Sequence, residues 1–200
     1  PFDKVCKCFE AISDPTTLPR TRPRMMEMLW KTYGKEHQLF DLMRLILPHL
    51  DTVRPQYRLK QKGIAKMYVE ILAINEASDD AQMLLNWKKP ASGFQRNEQG
   101  NFPEVVYSVV EHRVKKRSDL GGKFLSVGEL NGLLDELAGA DSIPAKRAVL
   151  EQVLARTTAR EQRWILRIIL KDMQIGMKED SIFRLLHEDA KELYASCCDL

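Results

Sequence analysis

Apolar residues recur at spacings of three and four along almost the whole chain, and no long stretch alternates with period two. The pattern is densest in "WILRIILKDMQIG", residues 164–176. At about 100° per residue, Arg160, Arg163, Arg167 and Lys171 fall within an arc of about 80°, while Trp164, Ile165, Leu166, Ile168, Ile169 and Leu170 take most of the remainder. This predicts a helix nearly surrounded by protein, with one narrow basic stripe at the surface. Helix-start signals punctuate the rest of the chain. Ser126 with Glu129, Thr158 with Glu161 and Asp189 with Glu192 have capping-box spacing, and Asp141 or Ser142 precedes a Pro144 just inside the next element. Helices are predicted near 2–12, 23–33, 36–50, 62–74, 78–86, 103–114, 126–138, 142–156, 159–173, 178–187 and 189–198. The expected fold is all-α, a compact module of about ten to eleven helices.

The longest break in the pattern is "KKPASGFQRNEQGN", residues 88–101, where Pro90, Gly93 and Gly100 interrupt any helix. It reads either as a linker or as a surface loop. A core confined to the residues before it would be small, so one helical domain over 1–200 is the preferred organisation. The chain has 200 residues with a hydrophobic fraction of 44%, enough for a substantial core. Its four cysteines fall in two close pairs, Cys6 with Cys8 and Cys197 with Cys198, neither spaced as Cys-x-x-Cys. A reducing compartment and no structural zinc are expected. No apolar run reaches the roughly 18 residues that cross a bilayer, and no signal peptide opens the chain. Because it starts at Pro1 without a methionine, it is read as a fragment of a larger protein.

Charge changes this picture through its distribution. The totals, 31 Lys plus Arg against 28 Asp plus Glu, give a net charge of only +3. Residues 54–66, "RPQYRLKQKGIAK", nevertheless hold five basic side chains and no acidic one, and 113–117, "RVKKR", hold four in five positions. "RTRPR", residues 20–24, adds three arginines ahead of a helix. Arg20, Arg22, Arg58, Lys60, Lys62, Lys115 and Lys116 are therefore candidate phosphate contacts. In "KKRSDLGGKFLS", Gly121 and Gly122 permit close backbone approach, and Lys123 and Ser126 lead into a helix whose first N–H groups suit an anion. Arg163, Arg167 and Lys171 join the set through the stripe. Each piece has a second reading. Basic residues near a helix end complement its dipole, a charge run is satisfied by solvent, and acidic residues of neighbouring helices pair with the stripe. No helix-turn-helix or zinc-finger pattern reads bases, so phosphate and groove shape are the economical targets.

No catalytic or metal residue is nominated. The sequence has no Gly-x-x-x-x-Gly-Lys-Ser/Thr loop, Gly-x-Ser-x-Gly elbow or His-Glu-x-x-His helix. His37, His49, His112 and His187 are scattered, and "HEDAKE", residues 187–192, is better read as a turn between helices.

Three segments taken in order carry a family resemblance: "LFDLMRLILPHLDTVRPQYRLKQKGIAKMYVEIL" at 39–72, "FLSVGELNGLLDELA" at 124–138 and "EQRWILRIILKDMQIGMKEDSIFRLLHEDAKELY" at 161–194. Together they resemble the N-terminal DNA-binding domain of eukaryotic ATP-dependent DNA ligases, most of all the branch that acts in non-homologous end joining. The resemblance covers nearly the whole chain. It implies a nuclear, noncatalytic helical module that holds the minor groove of duplex or nicked DNA beside other domains of the same ligase. It implies no cofactor for this segment, and ATP and Mg for the full-length enzyme. The nucleotide-accepting Lys-x-Asp-Gly motif of such ligases is absent, and Lys171-Asp172 does not match it. The resemblance also implies a possible end-joining nuclease peptide as partner. In "RMMEMLWKTY", residues 24–33, Met26, Leu29 and Trp30 have core spacing, and the same soft apolar types capture peptides. A protein-interaction module near Trp30 is the alternative function.

Overall fold

The computed structural model describes residues 1–33, 38–88, 100–122 and 124–197. Lys123, Cys198, residues 36–37 of the predicted third helix and most of the 88–101 segment lie outside the described residues. Among them are eleven α-helices and no strand: α1 (Phe2–Ser13), α2 (Arg22–Tyr33), α3 (Gln38–Ile46), α4 (Gln61–Ile71), α5 (Asp79–Leu85), α6 (Phe102–Val110), α7 (Val127–Gly139), α8 (Ile143–Ala155), α9 (Ala159–Ile169), α10 (Glu179–Leu186) and α11 (Ala190–Cys197). The all-α expectation holds.

Several helices end earlier than their apolar pattern, for backbone reasons. α3 stops at Ile46 because Pro48 cannot continue it. α4 stops at Ile71, two residues before Ala73 takes a left-handed φ of 49°. α9 ends at Ile169, and Lys171 at φ 57° turns the chain out of the helix.

The predicted caps are largely present. Thr158 and Glu161 form a reciprocal box at α9, with the Thr158 N–H donating to Glu161 Oε2 at 2.8 Å. Ser126 and Glu129 do the same at α7. Ser142 caps α8 by accepting from the Ala145 N–H at 3.2 Å. At 189 the structure differs, because the Asp189 N–H donates to His187 Nδ1 at 3.2 Å. Thr158→Ala is expected to lower stability by about 1 kcal/mol, while Thr158→Ser retains most of it. Urea unfolding of the three proteins checks this.

The chain divides into two compact units built from discontinuous segments, residues 1–55, 125–135 and 171–200 in the first and 56–124 and 136–170 in the second. The segments on both sides of the 88–101 break therefore belong to one unit. In the first unit, Phe2, Val5, Phe9 and Ile12 make one buried stripe on α1, and α1 packs on α2, which buries Met26, Leu29, Trp30 and Tyr33. α10 also packs on α2, and α11 follows with Tyr194 stacked on Phe183 at 5.2 Å. In the second unit the main pairing is α6 with α9, where Phe102, Val105, Val106 and Val109 of α6 and the apolar arc of 164–169 are all buried. The buried Tyr68 hydroxyl of α4 donates to Gln162 of α9, so this polar pair in the core is satisfied.

Candidate nucleic-acid interface

α9 carries the predicted apolar arc, with Trp164, Ile165, Leu166, Ile168 and Ile169 all at most 3% exposed. The basic stripe is not a surface stripe. Arg167 is only 7% exposed and donates to Glu104 Oε1 at 2.8 Å, while Arg163 donates to Glu104 Oε2 at 3.1 Å. Glu104 comes from the first turn of α6, where an acidic residue also complements the helix dipole. The two guanidiniums flank the Trp164 ring at 5.8 and 5.5 Å, and Arg163 also lies over Tyr107 at 5.0 Å. These are the contacts of a folded core, and they compensate charge that phosphate would otherwise meet.

Lys171 departs further from the sequence picture. It follows the end of α9 in a left-handed turn, so the helical wheel does not apply to it. Its ammonium donates to the Arg54 carbonyl at 2.7 Å, and burial together with the Arg54 charge pulls its pKa down despite Asp51. Arg54 itself, the first cation of the 54–66 run, is 1% exposed. Its Nε donates to Asp51 Oδ2 at 2.6 Å and its Nη2 to Asn131 at 2.7 Å. Arg44 reaches the same Asp51 oxygen at 2.9 Å and binds Asp135 with both terminal nitrogens. Burial alone would raise the Asp51 carboxyl, but hydrogen bonds and charge from Arg54 and Arg44 outweigh it and hold the pKa below the usual carboxylate value.

The connectors divide differently. In the first unit Arg20 is exposed, whereas Arg22 is occupied, donating to the Gly176 carbonyl at 3.0 Å. Gly176 sits at φ 69°, a conformation that favours glycine, and a Cβ there would come within 2.8 Å of Arg22 Nη1 and displace the guanidinium. In the second unit Lys60 and Lys62 are exposed at the start of α4, and Lys115 and Lys116 are exposed after α6. Arg58 is also exposed, 3.8 Å from an equally exposed Asp141. Among the described residues none of the four lysines has an ion-pair partner. Gly121 and Gly122 do take positive φ, 54° and 81°, as a tight turn requires. Ser126, however, serves its own helix. Its N–H donates to Glu129 Oε2 at 2.9 Å and its hydroxyl accepts from the Glu129 N–H at 3.1 Å, so these donors are not open to an anion.

Met26, Leu29 and Trp30 are core residues, 0%, 5% and 7% exposed, which is the packing reading of "RMMEMLWKTY". The large apolar side chain that α2 exposes is Met28, at 63%. Cys8 is part-buried and its thiol is pushed up to about 11, far from a thiolate nucleophile at neutral pH. Among the described residues no group of three or more His, Cys, Asp or Glu is arranged to hold a metal ion, and no helix is long and apolar enough to cross a membrane. Sequence reasoning missed Glu104, Asp51 and Trp87. The first two lay hidden as ordinary helix-start and turn acids, and the third falls between the predicted 78–86 helix and the 88–101 break, beside the lysines of "WKK", residues 87–89.

A family model described as DNA ligase N terminus matches residues 1–187. DNA ligase 4 of Coprinopsis cinerea is 38% identical over 206 residues, covering all of this chain and 19% of that protein. DNA ligase 4 of Arabidopsis thaliana is 37% identical over 199 residues, covering 100% of the chain and 16% of the relative. DNA ligase 4 of Gallus gallus is 33% identical over 214 residues, with 100% and 23% covered. The chain thus spans about a fifth of the length of these relatives.

Proposed function

The chain belongs to the DNA ligase N-terminal family, and from that premise we propose that it binds duplex DNA at nicks or joined ends without reading sequence. Phosphate and minor-groove contacts hold the DNA in position while separate domains of the same ligase carry out ATP-dependent sealing, with ATP and Mg acting there, in nuclear non-homologous end joining. By fixing both sides of a break, the module lowers the entropic cost of aligning the two reacting ends and takes no part in the bond changes. The reading rests mainly on Lys60, Lys62, Lys115 and Lys116, exposed at the start of α4 and after α6 without acidic partners among the described residues. Exposed Arg20 and Arg58 are secondary contacts, and Lys123 is kept on its sequence position alone. Arg163 and Arg167 act within the second unit by tying α9 to Glu104 of α6, and Arg22, Lys171 and Ser126 are occupied by contacts within the first unit. The peptide-docking alternative gains no exposed surface from Met26, Leu29 or Trp30.

The test is duplex affinity over a salt series with several unrelated sequences. Four neutralised phosphates give a slope of log association constant against log salt of about −3.6, at about −0.9 per contact, with similar affinities across sequences. Absence of duplex binding at low salt by the folded chain would overturn the proposal.

A further inference from the structure

Within the second unit a cleft of about 390 Å³ opens between the first turn of α4 and the residues that follow α5. Lys60, Lys62 and Lys88 line it, together with Trp87 and the amide side chains Gln61 and Asn86. Its lining among the described residues contains no acidic side chain. Three like charges around one cavity repel one another, and an anion seated among them relieves that repulsion. The start of α4 has no side-chain cap, which adds the positive end of a helix dipole to the same wall.

Charge alone would suit any phosphate. Trp87 narrows the ligand. Its indole is part-exposed and makes a T-shaped contact with Phe102 at a centroid distance of 5.7 Å and an angle of 64°, with the Lys88 ammonium over the ring at 5.2 Å. An aromatic ring beside lysines is the combination that holds single-stranded nucleic acid, base on ring and phosphate on ammonium. In an intact duplex the base faces are already stacked inside the helix and have nothing to offer the indole. An unpaired nucleotide exposes both its faces and its pairing edge, and the Gln61 amide and the Asn86 carbonyl oxygen, whose own amide nitrogen donates to Gln82 at 2.9 Å, are the neutral groups that meet such an edge. The volume lies in the range of small-ligand clefts, roughly 300–1,000 Å³, so the site takes about one nucleotide rather than a strand.

We infer that this cleft receives an unpaired nucleotide of a single-stranded DNA overhang, its base against Trp87 and its phosphates among Lys60, Lys62 and Lys88. The inference rests on the duplex-holding reading and extends it to ends that are not flush. Lys60 and Lys62 serve both, whereas Trp87 serves only the unpaired nucleotide.

The experiment compares three labelled probes by fluorescence anisotropy with the full 200-residue chain: a blunt duplex, the same duplex with a short oligothymidine overhang, and oligothymidine alone. The overhang is expected to tighten binding about tenfold, the size of one base–aromatic stack. Trp87→Leu removes that gain and leaves blunt-duplex affinity within about twofold, and Trp87→Phe keeps most of it. Equal losses on blunt and overhang probes, or no gain from the overhang in the wild type, would overturn the inference. A second readout does not depend on a variant. Trp30 and Trp164 are 7% and 2% exposed, so quenching of tryptophan emission by oligothymidine reports on Trp87, and its absence also overturns the site. Failure of the blunt duplex alone, with overhang binding still dependent on Trp87, sinks the duplex reading and supports the subsite.

Discussion

Asp51→Asn is expected to destabilise the protein by about 3 kcal/mol, several times the loss from any exposed ion pair. The Asp51 carboxylate is 3% exposed and lies against two guanidiniums that are themselves buried, Arg54 at 1% and Arg44 at 7% side-chain exposure. Asparagine keeps an oxygen for the Val53 and Arg54 N–H groups that Asp51 now satisfies, so the turn retains its acceptor. It removes the charge. Two buried cations are then left with Asp135, whose side chain is 42% exposed, 2.5 Å from Arg44 and 3.5 Å from Arg54. Denaturant unfolding measures the loss, and Asp135→Asn serves as the milder comparison. The pH dependence has a definite sign. Because the folded pKa of Asp51 lies below its unfolded value, its contribution is complete above about pH 4 and fades as pH falls through the folded pKa. The gap between wild type and Asp51→Asn therefore closes on acidification. A loss under about 1 kcal/mol at neutral pH would show that the paired charges do not hold this part of the first unit together.

The same network shows what the sequence leaves illegible. Spacings of three and four, capping pairs and proline positions carry nearly all the helices, because these signals act over a single turn. Ends are less legible where they depend on a residue that takes a left-handed conformation without being glycine, as Lys171 and Ala73 do. The candidate surface follows the same division. Lys60, Lys62, Lys115 and Lys116 stand in local runs without acids and are exposed. Arg54 stands in such a run and is buried, because Asp51 turns back on it and Asn131, 77 residues away, supplies a second acceptor. Arg163 and Arg167 form a stripe on paper, but their carboxylate comes from α6, 59 and 63 residues earlier. A charge pattern on one helix specifies which way its cations point. Whether an acid waits there is decided by tertiary packing, which a wheel does not contain.

Reversing Lys60, Lys62, Lys115 and Lys116 together to glutamate is accordingly expected to abolish most duplex binding without unfolding the chain. All four side chains are exposed, and none has an ion pair among the described residues to lose, so the folded state pays little for the change. Binding loses the counterion release of four phosphate contacts. At about 0.9 of a decade per contact for each decade of salt below 1 M, the deficit near 0.1 M salt is about three and a half orders of magnitude, and the salt slope flattens toward zero. Lys191→Glu is the control, since this lysine sits in the first unit with its own partner, Asp180, at 2.7 Å, and its reversal should leave affinity within about twofold. Circular dichroism and the urea midpoint establish that the quadruple variant is folded. Undiminished binding by that folded variant would shift the duplex to other surfaces of the chain, whereas a flattened slope with retained helicity would assign the phosphate contacts to these connectors.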